Sequence, residues 1–214
     1  MAEVCLTFDN GPDPEVMPGV LDVLTRRGVT ATFFVIGARL RDPAARACAE
    51  RARAEGHAIG NHTLTHGQPL GRRTAEEAVA EIAGAEALIG GLQGPERRFR
   101  PNGGGGVLGP HLLHRAAADR PVAGGYTMWL WNAVPGDWHD PDGWAATAQA
   151  MLAAAGETAV LVLHDLPTGA MRHLDRFLGT ARDAGHRFGA VPPEACVPIR
   201  RGVAAPGLGR YVSA

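Results

Sequence analysis

The chain of 214 residues contains no lysine: all 21 of its basic residues are arginines. That absence excludes a Schiff-base lysine and a phosphate-loop lysine, and with them two broad classes of catalytic and nucleotide-binding site. Cysteine is scarce. Cys5, Cys48 and Cys196 are scattered and odd in number, which reads as buried structural thiols rather than a disulfide framework. No apolar run reaches the roughly 18 residues that a transmembrane helix needs. The N-terminus shows no basic-then-apolar-then-small pattern, so secretion is disfavoured and a cytoplasmic location is expected. A net charge of −1 offers no electrostatic reason to expect nucleic acid or an anionic membrane as partner. Composition carries no signal for an oligomeric state.

What is present is a hydrophobic content of 45%, enough for one globular domain with a sizeable core. Residues 3–8 alternate and read as a strand. Residues 15–27 carry an apolar helical stripe that ends at Gly28. Residues 31–36 form a continuous β-branched and aromatic run, the mark of a strand buried on both faces. Asp42-Pro43 predicts an N-cap and first helical residue for a helix to about residue 55, and 57–61 a short strand. Thr74 with acids at 76 and 77 opens a helix to about 89. Strands are then predicted near 97–100, 126–132 and 158–163, and helices over 110–119, 140–155 and 169–184. Strand-then-helix repetition implies a parallel α/β architecture, a barrel. The domain is expected to span residues 1–191, with a Pro- and Gly-rich tail over 192–214 packed across its surface.

Five segments place polar residues at the expected ends of strands. Asn61-His62-Thr63-Leu64-Thr65-His66 carries two histidines four apart, a spacing that can start a divalent-metal site. Nine histidines would produce such a spacing by chance, and ordinary loop or core histidines would explain it alone. It has company: Thr7-Phe8-Asp9-Asn10-Gly11-Pro12 upstream, then Arg98-Phe99-Arg100-Pro101-Asn102-Gly103, Gly136-Asp137-Trp138 and Leu161-Val162-Leu163-His164-Asp165. Polar residues gathered at one end of a parallel barrel are the footprint of an active site. The run Gly103-Gly104-Gly105-Gly106 is not followed by a lysine and reads as a flexible cleft wall rather than a phosphate loop.

These segments, in this order over roughly residues 3–191, resemble the polysaccharide deacetylases of the NodB-homology family (carbohydrate esterase family 4). The resemblance implies a distorted parallel (β/α) barrel of the glycoside hydrolase/deacetylase type, with fewer than eight regular strand-helix units. It also implies a hydrolase that removes an acyl group, acetyl above all, from an N-acylated sugar or oligosaccharide. Asp9 would be the general base, with Arg100 pairing with it and keeping it ionised. His164 would be the general acid that protonates the departing amine, oriented by Asp137. His62 and His66 would hold one divalent ion, zinc first, with cobalt, manganese or nickel as alternatives. Leu163 matches the position that lines the acetyl-methyl pocket. Trp138 and Trp131 are candidates for stacking on a sugar or for core packing.

One position departs from the family. Its first motif is Thr-Phe-Asp-Asp-Gly-Pro, and the second acid, a metal ligand, is Asn10 here. An amide oxygen can ligate a metal but brings no charge. Weaker metal binding, another substrate or lost activity would each follow from that exchange. Two further readings therefore stand beside the deacetylase: a hydrolase of non-sugar amides, including cyclic ones, and a carbohydrate-binding protein without turnover. The acid–base set favours an enzyme over the last.

Overall fold

The computed structural model describes residues 1–213. Strands β1 (Glu3–Asp9), β2 (Thr32–Val35), β3 (Ala58–Asn61), β4 (Arg98–Phe99), β5 (Thr127–Met128) and β6 (Thr158–His164) are parallel neighbours in the order β6-β1-β2-β3-β4-β5. An isolated parallel bridge between Ala133 and Leu161 returns the segment after β5 to β6 and curls the sheet into a barrel. Helices α1 (Met17–Arg27), α2 (Pro43–Ala54), α3 (Ala75–Ile89), α4 (Arg115–Ala123), α5 (Trp144–Ala154) and α6 (Leu174–Asp183) follow the six strands in turn. The expected distorted α/β barrel is the observed fold.

Local chemistry sets the helix starts. The Asp42 side chain accepts from the Ala44 N–H, with Pro43 beginning α2. Thr74 and Glu77 form a reciprocal capping box at α3, which satisfies two N–H groups that the helix itself cannot. The predicted helix over 110–119 is different. A 3₁₀ turn covers 110–112, Leu113 is extended, and α4 begins only at Arg115 behind His114 as N-cap. The reason lies far along the chain: Leu113 N–H donates to the Tyr211 carbonyl and its own carbonyl accepts from Ser213 N–H. That pairing takes Leu113 out of the helix.

The segment after 191, read as a surface tail, contributes to the sheet. Within it β8 (Ile199–Arg200) pairs antiparallel with β5 and with β9 (Val203–Ala204), while β7 (Arg187–Gly189), just before it, pairs with the start of β1. Cys196, Val197 and Ile199 are buried.

Strand alternation divides the core in two. Val4, Leu6 and Phe8 of β1, Phe33 and Val35 of β2, and Leu161 and Leu163 of β6 pack with α1, α2, α5 and α6. Cys5, Phe34, Val160 and Val162 point the other way, with Trp129 and Trp131. This corrects the expectation for Leu163. Its side chain belongs to the helix-facing layer, because residues two apart on a strand share a face. Val162, two before His164, is the one that lines the cleft. All three cysteines are free and buried, and burial pushes the Cys5 thiol up to about 12. Among the described residues no helix is long and apolar enough to cross a membrane.

Candidate active site

Parallel strands deliver their carboxyl ends to one mouth of a barrel, and the five sequence segments meet there. Asp9 closes β1 and His164 closes β6, in register with each other. His62 follows β3 directly, and Arg100 follows β4. The cleft between them has a volume of about 220 Å³, and its walls include Asp9, Asn10, His62, His66, Trp138 and His164.

Arg100 is fully buried and anchored on four sides. It donates to Asp9 Oδ1 at 2.7 Å, to Thr7 Oγ1 at 2.8 Å, and to the carbonyls of Trp129 and Leu130 at 3.3 Å. Its guanidinium lies 4.1 Å from the centroid of the Phe34 ring. Burial alone would raise the Asp9 pKa, but the Arg100 charge and hydrogen bond, together with nearby imidazoles, bring it below the usual carboxylate value. Asp9 is thus ionised at neutral pH in a nearly dry setting.

His164 is held by the opposite device. Asp137 accepts from its Nδ1–H at 2.9 Å and from its backbone N–H at 2.8 Å. Burial works against the charged ring, but the Asp137 hydrogen bond and charge, with Asp9 and Asp165 behind them, outweigh it and raise the pKa. Trp138 stands edge-on to the ring at 4.8 Å between centroids and is 38% exposed at the rim. Trp131 is buried, its indole N–H donating to the Gly106 carbonyl at 2.6 Å. Gly103 permits that wall: a Cβ there would sit 2.5 Å from the Trp131 ring. Asp165 does not line the cleft. It packs behind Gly11, and burial pushes its carboxyl up to about 7.

His62 Nδ1–H donates to the Arg100 carbonyl at 2.8 Å, which leaves Nε2 unprotonated, 3.5 Å from Asp9 Oδ2. Burial pushes the His62 pKa down to about 3 and lowers that of His66, so both rings are neutral. Their centroids are 4.9 Å apart. Asn10, in the left-handed region at φ 72°, has a buried side-chain oxygen without a hydrogen-bond partner. Among the described residues no three His, Cys, Asp or Glu side chains cluster as a metal-binding group; Asn10 lines the same cleft as the two imidazoles. Two neutral imidazoles and an orphaned amide oxygen suit a divalent ion, whose catalytic sites use about three protein ligands.

Two supporting residues escaped the sequence reading. Thr7 carries Arg100 from below and donates to the Leu161 carbonyl at 2.8 Å. Glu81 accepts from the Leu64 and Thr65 N–H groups at 3.0 and 2.9 Å and from the Thr65 hydroxyl, pinning the loop between the two histidines. The signal was an acid at 81 amid the buried stripe Ala78, Ile82 and Ala85. His57 and His186 have other work: their Nδ1 atoms accept from the N–H groups of Ala31 and Ala2.

Comparison with known proteins agrees with this geometry. The polysaccharide deacetylase family model matches residues 2–108. A chitooligosaccharide deacetylase from Sinorhizobium fredii is 35% identical over 170 residues, which span 76% of this chain and 71% of that protein. A peptidoglycan-N-acetylglucosamine deacetylase from Bacillus cereus is 31% identical over 165 residues, 76% of this chain and 72% of that one. The solved structure of peptidoglycan deacetylase PdaC from Bacillus subtilis superposes with a TM-score of 0.69 at 27% identity, covering 87% of this chain and 86% of that chain. Deacetylases of this kind are hydrolases of carbon–nitrogen bonds other than peptide bonds. Fold, motif order and these likenesses agree, and the chain belongs to the polysaccharide deacetylase family.

Proposed function

We propose that this protein removes acetyl groups from N-acetylglucosamine units of an oligosaccharide or glycan, using water as nucleophile and a divalent ion, zinc first. The observation that carries this reading is the pairing across one cleft of an acid and an imidazole whose charged forms are both favoured by their partners: Asp9 with Arg100, His164 with Asp137. Amide hydrolysis needs a group that takes a proton from attacking water and another that gives one to the departing amine. Asp9 is the acceptor and His164, through Nε2, the donor. A pure binding site would need neither protonation state maintained.

His62, His66 and Asn10 would hold the ion. When bound, it would supply Lewis-acid chemistry, acidifying water and polarising the amide carbonyl. The chain's own part is positional. Arg100 fixes the Asp9 carboxylate, the Arg100 carbonyl fixes the His62 tautomer, and Val162 with Trp131 bounds the small apolar space for an acyl methyl. Trp138, half turned to solvent, offers an apolar ring face to a sugar. The relatives named for chitooligosaccharide and peptidoglycan support the choice of substrate.

The test is acetate release from N-acetylated chitooligosaccharides and from peptidoglycan fragments, with zinc or cobalt supplied and with chelator. Release that chelator stops and metal restores is the expected result. Failure on both substrates in the loaded protein would remove the sugar reading, and undiminished turnover in chelator would remove the metal.

A further inference from the structure

We propose that a cavity at the opposite, amino-terminal mouth of the barrel is a second binding site, for a small oxyanion. It has a volume of about 270 Å³, and its walls include Thr32, Arg53, His57, Glu96, Arg98 and Trp129. None of these belongs to the catalytic cleft. Arg98 and Arg100 lie two apart about β4 and so share a face: Arg100 serves the catalytic end and Arg98 this one.

Three residues that line it each bury a side-chain N–H with no acceptor: Trp129 Nε1, Arg98 Nε and His57 Nε2. Each is a donor on chemical grounds. Indole and guanidinium nitrogens only donate. His57 Nδ1 accepts from the Ala31 N–H at 3.2 Å, so the ring proton resides on Nε2. The guanidinium carbon of Arg98 lies 5.5 Å from the centroid of the Trp129 ring, which puts two of the three donor side chains against each other. Folded proteins pair the great majority of buried polar groups. Three orphaned donors on the wall of one cavity point to a shared acceptor.

Charge selects the acceptor's class. The lining residues include two arginines, Arg53 and Arg98, and one acid, Glu96, which accepts from Arg98 Nη2 at 2.6 Å and leaves the Nε edge free. The wall therefore keeps one positive charge in excess, and burial of His57 holds that ring neutral. A carboxylate or phosphate brings several acceptor oxygens and the opposite charge. Water would bring hydrogens that need acceptors of their own, and a cation meets the wrong sign.

The full chain, labelled with ¹⁵N in its indoles, tests this. The Trp129 Nε1–H resonance, assigned through Trp129→Phe, is followed while inorganic phosphate or, separately, acetate is added at constant ionic strength against chloride. A saturable shift with at least one anion is expected; phosphate alone would identify a tetrahedral ligand and acetate alone a carboxylate. Arg98→Gln should weaken the midpoint about 10–100-fold, the effect of losing a charged hydrogen-bond donor, and His57→Phe should weaken it too. No saturable shift with either anion in the unaltered protein, the result for a cavity that holds water only, would overturn the proposal whether or not the variants fold. So would midpoints unchanged in both variants.

Discussion

Asp9 and His164 occupy partnered positions on adjacent parallel strands, and the charged form of each is favoured by a residue from elsewhere in the chain. Arg100 lies 91 residues from Asp9 and Asp137 lies 27 from His164. The two strand ends place the carboxylate and the imidazole, and the loops after β4 and β5 place the partners that favour their charged forms.

Arg100→Met removes the counter-charge while leaving Asp9 buried. Stability should fall by about 3–5 kcal/mol, the cost of an uncompensated buried charge, as read by urea unfolding at neutral pH. The Asp9 pKa should rise, so the acid limb of the pH–rate profile moves to higher pH. In the unaltered protein the depressed carboxyl stabilises the fold above its ordinary range, and that contribution disappears as pH falls through the folded value. An acid limb that stays in place would separate Arg100 from the base.

His164 has a raised folded pKa, so its contribution to stability is complete below the ordinary imidazole range and is lost as pH rises through the folded value. The alkaline limb of the rate profile should report the same proton. Asp137→Asn should move that limb to lower pH, and His164→Ala should cost roughly 10²–10⁴-fold in turnover. Near-normal amide hydrolysis by His164→Ala would show that the proton comes from another group.

Asn10→Asp replaces an uncharged donor by a charged one beside two neutral imidazoles. Zinc affinity measured by calorimetry should rise by at least the ~10–100-fold that outer-shell changes already produce. Acetate release at limiting metal should rise with it. Equal affinity in the two proteins would take position 10 out of the ligand set.

Glu81→Ala strips the clamp from the loop between His62 and His66 and leaves the Leu64 and Thr65 N–H groups without their acceptor. Stability should drop by about 1–3 kcal/mol, and metal affinity by ~10–100-fold. A loss of stability with metal affinity intact would make Glu81 a fold residue alone.

Leu163→Ala and Val162→Ala separate the two faces of β6. The first should destabilise by about 2–5 kcal/mol as a core truncation, with kcat/KM for the folded protein little changed. The second should widen the acyl space and shift preference from acetyl toward longer acyl groups. Competition between acetylated and propionylated oligosaccharides reads this directly, and an altered preference in Leu163→Ala instead would reverse the assignment.

The helix starts at Asp42-Pro43 and Thr74 were legible in the sequence because capping is local chemistry, completed within a few residues. The same holds for β1, β2 and β6, whose apolar runs read as strands; the continuous run of β2 also reported burial on both faces, whereas the alternation read in β1 did not. The motif order was enough to name the family, and the separation of helix and strand periods enough to imply the barrel.

Contacts between distant segments were decided only in three dimensions. Leu113 leaves its predicted helix to pair with Tyr211 and Ser213, and no local preference encodes a partner some hundred residues away. Leu163 and Val162 are equally apolar, and composition does not distinguish them; the face of β6 that carries His164 does. Glu81 is an acid on an apolar stripe that the sequence reading passed over, and its role required the His62–His66 loop to fold back onto α3. The residue types of the site were written in the chain, whereas its protonation states arise from burial and from the counter-charges that tertiary folding brings within hydrogen-bond reach.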